Sequence, residues 1–335
     1  MAGNVILNRA KDMQFDEYYT KREDVDKELR HYEQYLKGKT VICNCDDPRV
    51  SNFFRFFALN FKRLGLKKVI STCYKSEDAD AFTNQDTDRA VYIVYDGTIE
   101  CNSVEELNKL PVIPLEGDGD FRSPECVELL KEADFVCTNP PFSLLNEYIK
   151  QLIYYEKEFL IIAPTSVLHR KNIFPYIRDN KFWTGYSKGT REFFVPDDYS
   201  GNYFVDSNGK KYVKMGNTCW LTNLDTATRH NDYIREHPTN KYSPEKYISY
   251  DNFDGIDVDD INNIPIDYYG YMGVPDGFIE EFNPDQFEIV GIGSGKLASS
   301  IGVKKNYRGR TDIAYTTPDG EHHCPYSRII IRRKV

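Results

Sequence analysis

The sequence predicts an α/β fold with a mostly parallel sheet. Over about 130 residues, short apolar stretches of strand length alternate with stretches whose apolar positions recur at helical spacing. A strand, a helix and a second strand follow one another within about thirty residues, which is the spacing of a β-α-β unit with two parallel strands. Polar residues follow several predicted strands, as expected where a ligand binds at the carboxyl ends of a parallel sheet.

The first β-α-β unit lies near the amino terminus. Residues 25–36 predict a leading helix, and residues 40–45 predict the first strand. Residues 52–64, rich in Phe and Leu, predict the connecting helix, which Gly65 ends. Residues 68–74 then predict the second strand, parallel to the first.

A less regular stretch follows this unit. Residues 90–95 and 98–101 flank an Asp-Gly pair, which predicts a β-hairpin inserted into the α/β pattern. Residues 112–121 predict a further strand that ends in acidic residues.

The alternation then resumes. Residues 124–133 predict a helix that leads into a buried strand at 133–137. Residues 144–157 predict the next helix and residues 159–163 the next strand. We therefore expect five strands that alternate with helices.

The pattern weakens in the second half of the chain. Residues 212–215 and 218–222 predict a closing antiparallel pair of strands. A change of composition near residue 226 is the best candidate for a domain boundary. We therefore expect a catalytic domain at 1–225 and a C-terminal region at 226–335.

The stretch Thr138-Asn139-Pro140-Pro141-Phe142 follows a predicted strand and carries the strongest chemical signal. The exocyclic amino group of a purine is a weak nucleophile, because its lone pair is delocalised into the ring. The side-chain oxygen of Asn139 and the carbonyl oxygen of Pro140 can accept its two N–H groups and localise that lone pair toward an incoming methyl group. Proline fixes φ and so holds this carbonyl in place.

Phe142 offers a flat apolar face beside these acceptors. Stacking of a base on such a ring contributes roughly 1–3 kcal/mol. The alternative is an ordinary Pro-Pro turn with Phe142 in the core. The position at a strand end, after strands that end in acids, favours the catalytic interpretation over this alternative.

Acidic residues end two of the predicted strands. Asp46 and Asp47 follow the strand at 40–45, and Asp120 follows the stretch at 112–121. Carboxylates in these places suit the ammonium, sulfonium and ribose groups of S-adenosylmethionine, the methyl donor that such a reaction requires. A helix N-cap is the alternative role of each carboxylate, and for Asp47 the two roles are nearly equally favoured.

Composition excludes several classes of protein. The chain of 335 residues has a formal net charge of −9, which argues against a passive nucleic-acid coat but allows an enzyme with a local basic face. Its eight cysteines include no C-x-x-C pair, which predicts free thiols in a reducing compartment and no metal site. No apolar stretch is long enough for a membrane span, so we expect a cytoplasmic enzyme without a membrane partner.

Several stretches follow one another in a distinctive order along nearly the whole chain. They are Asp16-Glu17-Tyr18-Tyr19-Thr20, Cys45-Asp46-Asp47-Pro48 with Ser51-Asn52-Phe53, Gly119-Asp120-Phe121-Arg122-Ser123, Asn139-Pro140-Pro141-Phe142, Met272-Gly273-Val274-Pro275, residues 282–289 and residues 328–334. This order resembles the EcoRI-type adenine-specific DNA methyltransferases. An Asn-Pro-Pro-Phe stretch alone is shared by many amino-methyltransferases, but the ordered set is more specific. The chain departs from the wider superfamily in lacking a glycine-rich loop after the first strand.

The resemblance implies a Rossmann-like methyltransferase fold that uses S-adenosylmethionine. It implies methyl transfer to N6 of an adenine flipped out of duplex DNA at a specific site, and a possible partner restriction endonuclease that shares this site. It assigns catalysis to Asn139, Pro140, Pro141 and Phe142. It assigns cofactor binding to Tyr19, Thr20, Cys45, Asp46, Asp47, Pro48, Asp120 and Phe121.

Two basic clusters are candidates for contact with DNA phosphates, and a solvated surface is their alternative role. If DNA is the substrate, we expect the C-terminal region to recognise it. The candidate residues are Arg170, Lys171, Lys304, Lys305, Arg308 and Arg310.

Two other functions remain open at this point. The same planar-amine chemistry suits an adenine in RNA or a side-chain amide of a protein. Loss of catalysis would leave a DNA-binding module on the same fold, although the intact Asn-Pro-Pro-Phe stretch argues against this.

Overall fold

The computed structural model describes residues 18–45, 47–74, 90–197 and 199–335. They form a mixed α/β fold with several sheets. The chain divides into two compact units. The first unit comprises residues 1–165 and 185–224, and the second comprises residues 166–184 and 225–335.

Short strands and short helices make up the regular structure of the described residues. The strands are β1 (Tyr19–Thr20), β2 (Thr40–Cys43), β3 (Lys68–Thr72), β4 (Val91–Tyr95), β5 (Ile113–Pro114), β6 (Phe135–Thr138), β7 (Glu158–Pro164), β8 (Trp183–Thr184), β9 (Arg191–Phe194), β10 (Phe204–Val205), β11 (Lys211–Met215), β12 (Thr218–Thr222), β13 (Gly255–Asp257), β14 (Tyr271–Pro275), β15 (Phe287–Ile292), β16 (Tyr315–Thr316), β17 (His322–His323) and β18 (Arg328–Arg333). The α-helices are α1 (Arg22–Leu29), α2 (Asn52–Leu59), α3 (Phe61–Leu64), α4 (Val104–Leu107), α5 (Pro124–Glu132), α6 (Leu145–Tyr154), α7 (Phe174–Arg178), α8 (Tyr233–Glu236) and α9 (Gly295–Ser300). Short 3₁₀ helices cover Glu33–Tyr35, Thr165–His169, Ala227–His230, Ile261–Asn263 and Asp276–Glu280.

The main sheet of the first unit is mixed. Strands β3, β2, β6 and β7 lie side by side and parallel at its centre. Antiparallel pairings extend this centre, with β4 and β5 beyond β3 on one side and β12 beside β7 on the other. All residues of β2 and β6 are buried, which explains why their sequences are almost continuously apolar.

Local sequence signals set the ends of the helices beside this sheet. The hydroxyl of Ser51 accepts a hydrogen bond from the Phe54 N–H at 3.3 Å and starts α2. Ser123 caps α5 in the same way through the Cys126 N–H, also at 3.3 Å. Gly65 ends α3 in a left-handed conformation, with φ of 62°, as predicted.

A second sheet of the first unit positions the amino-terminal segment. Its strand order is β1, β9, β11 and β10, and all its pairings are antiparallel. Tyr19 lies opposite Phe194, and Thr20 lies opposite Phe193. This pairing fixes the register of β1, which carries the first of the predicted cofactor residues.

The second unit has its own sheet, in the order β13, β14, β18 and β15. The central strand β18 buries Ile329, Ile330 and Ile331, and its pairing with β15 contains an irregularity between Ile289 and Gly291. A separate hairpin joins β16 and β17.

The predicted hairpin at residues 90–101 is wrong. Strand β4 pairs with β3 and β5, and residues 98–101 form no strand. The Asp96 carboxylate accepts hydrogen bonds from the Thr98 N–H at 3.0 Å and the Thr98 hydroxyl at 2.7 Å. These hydrogen bonds hold residues 96–98 in a local turn. The residues that follow therefore do not fold back to pair with β4.

The predicted pairing of residues 212–215 with 218–222 is also wrong. Strand β11 pairs with β9, whereas β12 pairs with β7 of the main sheet. Burial explains the separation. Every residue of β12 is buried, as befits a neighbour of the core strand β7, whereas in β11 only Val213 is buried.

Three predicted elements are shorter than expected. Of residues 112–121, only Ile113–Pro114 form a strand, since Pro114 lacks an N–H and glycines follow it. The helix predicted at 25–36 ends at Leu29 and is followed by a 3₁₀ turn. The helix predicted at 52–64 breaks at Asn60, whose side chain donates to the Phe56 carbonyl at 2.8 Å.

Candidate active site

Asn139 lies directly after the parallel strand β6 and is only 7% exposed. Its Nδ2 donates a hydrogen bond to the main-chain oxygen of Tyr18 at 2.5 Å. Its Oδ1 is buried and has no hydrogen-bond partner among the described residues. The amide is thus anchored through its nitrogen while its oxygen remains an available acceptor.

The two prolines that follow hold the turn after β6. Pro140 is buried and Pro141 is half-buried. The carbonyl oxygen of Pro141 accepts the Leu144 N–H at 3.1 Å, just before α6 begins. Strand β6 and helix α6 therefore fix both ends of the Asn-Pro-Pro-Phe turn.

Phe142 is half-buried and lies beside Tyr18. Their ring centroids are 6.3 Å apart at an interplanar angle of 33°. Tyr18 also meets Phe193 edge to face at 6.0 Å. Phe142 thus packs against the core of the first unit, as the alternative of a Pro-Pro turn supposes, but part of its ring stays accessible.

The segment Tyr18–Thr20 is held at the ends of the parallel strands by two asparagines. Asn139 binds the oxygen of Tyr18, and Asn52, at the start of α2, donates to the oxygen of Thr20 at 2.8 Å. Thr20 is buried, and its hydroxyl oxygen has no partner among the described residues. The predicted catalytic turn and the first predicted cofactor segment are thus neighbours.

The loop after β2 is organised by an ion pair. Arg49 contacts the carboxylate of Asp47 at 2.6 Å, and its own N–H donates to the same carboxylate at 2.9 Å. Pro48 lies buried between these two residues, and Cys45 is half-buried. Asp46, predicted to bind cofactor, lies outside the described residues.

Asp120 forms a second pair of the same kind. The Arg122 guanidinium contacts its carboxylate at 2.6 Å and holds the pKa of Asp120 below its ordinary value. Phe121 is buried and meets Tyr148 edge to face at 5.0 Å. Both predicted cofactor carboxylates of the described residues are therefore neutralised within the protein, and their binding of cofactor stays a prediction.

Sequence reasoning missed Asn44 and Tyr148. The Tyr148 hydroxyl donates to the Asn44 side-chain oxygen, and both residues are buried. Burial raises the pKa of Tyr148, so it stays a neutral donor. The Nδ2 of Asn44 has no partner among the described residues. The polar side chain of Asn44, directly after the apolar strand β2, was the sequence signal that could have identified it as a site residue.

Several buried polar atoms at or directly after strand ends have no partner among the described residues. They include the hydroxyl oxygens of Thr20, Thr72 and Thr138, the amide nitrogen of Asn44 and the amide oxygen of Asn139. Leaving such groups unpaired costs about 1–3 kcal/mol each. Donors and acceptors in these places would suit a polar ligand that carries both.

The predicted DNA-binding residues all lie in the second unit. Four of them occupy one tight loop, in which Asn306 accepts the N–H groups of Arg308 at 2.9 Å and Arg310 at 3.2 Å. Asn252 is buried and donates to the oxygens of Lys304 and Asp312, each at 2.8 Å. We call residues 304–312 the basic loop.

The side chains of this loop face solvent. Lys304, Lys305, Arg308 and Arg310 are all exposed, and the Arg308 guanidinium lies 5.0 Å from the ring centroid of Tyr307. Asn252 and Asn306 hold the main chain of the basic loop, while its four cations are exposed. The loop can therefore present these charges to DNA phosphates in a defined arrangement.

The other predicted basic cluster borders a small pocket of the second unit. Lys171 is exposed and lines this pocket of about 280 Å³ together with Lys296. Arg170 is half-buried. The Gly295 N–H donates to the Asp312 carboxylate at 2.9 Å, so the segment that carries Lys296 is tied to the basic loop.

The described residues contain no cluster of three or more side chains suited to a metal ion. All eight cysteines are free thiols. In the part of the chain that the structure describes, no helix combines the length and the apolar character that a membrane crossing requires.

Residues 6–334 match the family described as adenine-specific methyltransferase EcoRI. The type II methyltransferase M.EcoRI of Escherichia coli is 40% identical over 340 aligned positions, which cover 99% of this chain and 98% of the relative. Two mycoplasma proteins are also similar. M.MgeORF184P of Mycoplasma genitalium is 36% identical over 90% of both chains, and M.MpnI of Mycoplasma pneumoniae is 32% identical over 90% of this chain and 89% of its own length.

These matches make the chain an adenine-specific DNA methyltransferase. More particularly, it belongs to the EcoRI methylase family. The resemblance inferred from the ordered motifs and the predicted enzyme class are thereby confirmed.

Proposed function

We propose that the enzyme transfers a methyl group from S-adenosylmethionine to N6 of an adenine flipped out of duplex DNA at a defined sequence. The observation that carries this proposal is the state of Asn139, which is buried, anchored through its nitrogen and, among the described residues, without a partner at its oxygen. A duplex hides the adenine amino group in base pairing, so the base must leave the stack before this amide can reach it.

Asn139 activates the amino group as an acceptor. Its Oδ1 and the carbonyl oxygen of Pro140 accept the two N–H groups of N6, which returns lone-pair density from the ring to the nitrogen. No strong base is required, since the acceptors need only orient and polarise the group, and the methylated, positively charged nitrogen is acidic enough to release one N–H proton to water. Phe142 stacks against the flipped base with its accessible face, which contributes roughly 1–3 kcal/mol to binding.

The unpaired polar atoms support S-adenosylmethionine as the cofactor. The Thr20 and Thr138 hydroxyls and the Asn44 amide are donors and acceptors that suit its amino-acid, ribose and adenine groups. When bound, this cofactor supplies a methyl group activated by a positively charged sulfur. We keep the eight predicted cofactor residues as candidates, with Asn44 added. The four parallel strands support a Rossmann-like arrangement of this site.

The second unit is the proposed DNA-recognition region, which refines the expected region at 226–335 by adding residues 166–184. The fixed, exposed basic loop supports this role, as do Lys171 and Lys296 at the nearby pocket. Contacts of Lys and Arg with phosphates position a protein on DNA without reading the sequence. Base-specific contacts must come from other residues of this unit.

A partner endonuclease and a cytoplasmic location complete the proposal. The relatives are named type II methyltransferases, which supports a restriction enzyme that reads the same DNA sequence. A cytoplasmic enzyme would have both DNA and S-adenosylmethionine at hand.

The product of the reaction tests the proposal. The protein is incubated with methyl-labelled S-adenosylmethionine and mixed-sequence duplex DNA, and the digested nucleosides are then separated. We expect the label in N6-methyladenine, confined to one sequence context. Label in another nucleoside, or in none, would refute the proposal. Competition with RNA and protein acceptors tests the alternatives that the sequence left open, and we expect neither to reduce labelling of DNA.

A further inference from the structure

A pocket of about 460 Å³ lies in the first unit, beside the predicted cofactor segment. Tyr19 and Asn52 line one side of it. Four cations and two acidic residues line other parts of it. These charged residues are Lys21, Arg22, Arg55 and Lys210, with Glu23 and Asp206.

Two of the cations already have partners. Lys21 pairs with Glu192 at 2.6 Å and lies 3.7 Å from the ring centroid of Tyr212. Arg22 contacts the carboxylate of Asp26 at 3.4 Å. The charge of these two side chains is therefore partly compensated by the protein.

Asp206, one of the two acidic residues that line the pocket, also has hydrogen-bond partners. The carboxylate of Asp206 accepts the N–H groups of Asn208 and Lys210, each at 2.9 Å, within its own turn. The side chain of Lys210 is left exposed at the pocket. Asp206 thus shapes the turn that presents Lys210.

Arg55 forms no ion pair with the described residues. Its Nη2 donates to the main-chain oxygen of Arg49 at 2.7 Å, but its Nε is buried and has no partner among the described residues. The nearby carboxylate of Asp47 is paired with Arg49. Burial and the positive charge of Arg22 lower the pKa of Arg55. A guanidinium keeps its charge in proteins, so the buried Nε of Arg55 suits a bound anion.

The pocket lies across β1 from the catalytic amide. Side chains alternate along an extended strand, so Tyr18 and Thr20 point away from Tyr19 and Lys21. Tyr18 contacts Phe142, whereas Tyr19 and Lys21 line the pocket. The pocket is therefore close to the reaction site but separated from it by the thickness of one strand.

We propose that Arg55 and Lys210 form an oxyanion-binding site that takes a phosphate group of the target DNA strand. The proposal rests on the proposed function, because a flipped adenine draws its own strand along the reaction site. The carboxylate of S-adenosylmethionine has the same chemistry, but it is joined to the transferred methyl through only a few bonds. It therefore belongs on the Asn139 side of β1, where Thr20 can contact it through its side chain and Tyr19 through its main chain, which leaves the pocket for DNA.

Binding measurements on the full-length protein test this site. The variants are Arg55→Gln, Arg55→Lys and Lys210→Gln, with the exposed Lys109→Gln as a matched control. Duplex DNA affinity is measured at several salt concentrations, and affinity for S-adenosylmethionine is measured by calorimetry without DNA. Circular dichroism confirms folding. Lys210→Gln keeps the test valid if Arg55→Gln does not fold, because the Asp206 bond to Lys210 uses the main chain.

We expect both Gln variants to bind DNA more weakly and to lower the slope of log affinity against log salt by about 1. Arg55→Lys should restore most of the slope, and cofactor affinity should not change. DNA binding equal to that of Lys109→Gln would overturn the site. So would a loss of cofactor affinity with unchanged DNA binding, which would assign the anion to the cofactor. Methylation by the wild-type protein reports separately whether the proposed function holds.

Discussion

The amide nitrogen of Asn139 donates to the main-chain oxygen of Tyr18, a residue 121 positions earlier in the chain. This bond decides which end of the amide remains available. The nitrogen is used inside the protein, and the buried oxygen has no partner in the part of the chain that the structure describes. An amide held in this way is an acceptor, which is what activation of an adenine amino group requires.

Gly119→Ala is expected to lower affinity for S-adenosylmethionine and to destabilise the first unit. Gly119 has φ of 79°, which costs an alanine about 1–2 kcal/mol. A Cβ there would also collide with the Cys73 carbonyl oxygen at the end of β3. Calorimetric titration and urea unfolding measure the two effects.

Gly117→Ala is the matched control for this change. No atom of the described residues lies within 4 Å of a Cβ at Gly117, and its φ is not positive. We expect it to bind cofactor as the wild type does. Equal behaviour of the two variants would show that the Gly119 loop does not support the cofactor site.

Glu28→Gln is expected to destabilise the protein by about 2–3 kcal/mol. Glu28 is fully buried and accepts the Tyr32 hydroxyl at 2.9 Å and the N–H groups of Tyr186 and Ser187, each at 2.7 Å. Gln at this position would place an amide N–H group opposite one of these N–H or O–H donors, so at least one hydrogen bond would be lost. Urea unfolding measures the loss, and the partly exposed Glu33→Gln should change stability far less.

His230 is expected to make stability depend on pH. Asp285 at 2.6 Å and Asp225 at 2.9 Å raise the pKa of His230 above its ordinary 6.5. Folding thus favours the protonated form of His230. The stability that protonated His230 contributes is therefore complete below pH 6.5 and is lost as the pH rises through the raised pKa. Unfolding of wild type and His230→Gln should therefore differ more at acidic than at alkaline pH. A constant difference would contradict this.

Asn252→Ala and Lys305→Gln should weaken DNA binding in different ways. Lys305→Gln removes an exposed cation of the basic loop, so it should lower the salt slope by about 1. Asn252→Ala removes the bonds that fix Lys304 and Asp312 but leaves every cation in place. It should reduce affinity at each salt concentration with little change of slope. Affinity equal to that of the exposed control Lys246→Gln in both variants would argue against the basic loop as a DNA contact.

Local signals in the sequence predicted the parts of the fold that depend on neighbouring residues. The apolar runs of β2, β6 and β7, the end of α3 at Gly65 and the Asn-Pro-Pro-Phe turn after β6 are examples. The partners of β11 and β12 were not predictable in this way. They depend on burial against distant strands, which sequence spacing does not encode.

In the candidate site, too, features that depend on adjacent residues were predictable from the sequence, whereas contacts between distant segments were not. Its catalytic turn could be read from adjacent residues, whereas the bond from Asn139 to Tyr18 joins distant segments. The pairing of Asp47 with Arg49, and of Asp120 with Arg122, was foreseeable from their spacing of two residues. Arg55 gave no local signal, since its lack of compensation is visible only when the surrounding residues are placed.

The single-turnover rate of methyl transfer by Asn139→Ala tests the central claim most directly. The variant is compared with wild type and with the exposed control Asn108→Ala, and affinity for S-adenosylmethionine is measured alongside. We expect a fall in rate of at least about 10²–10³, as for loss of a polar group that acts in the transition state, with little change in cofactor affinity. A rate close to that of wild type would contradict the role of Asn139 as the acceptor that activates adenine.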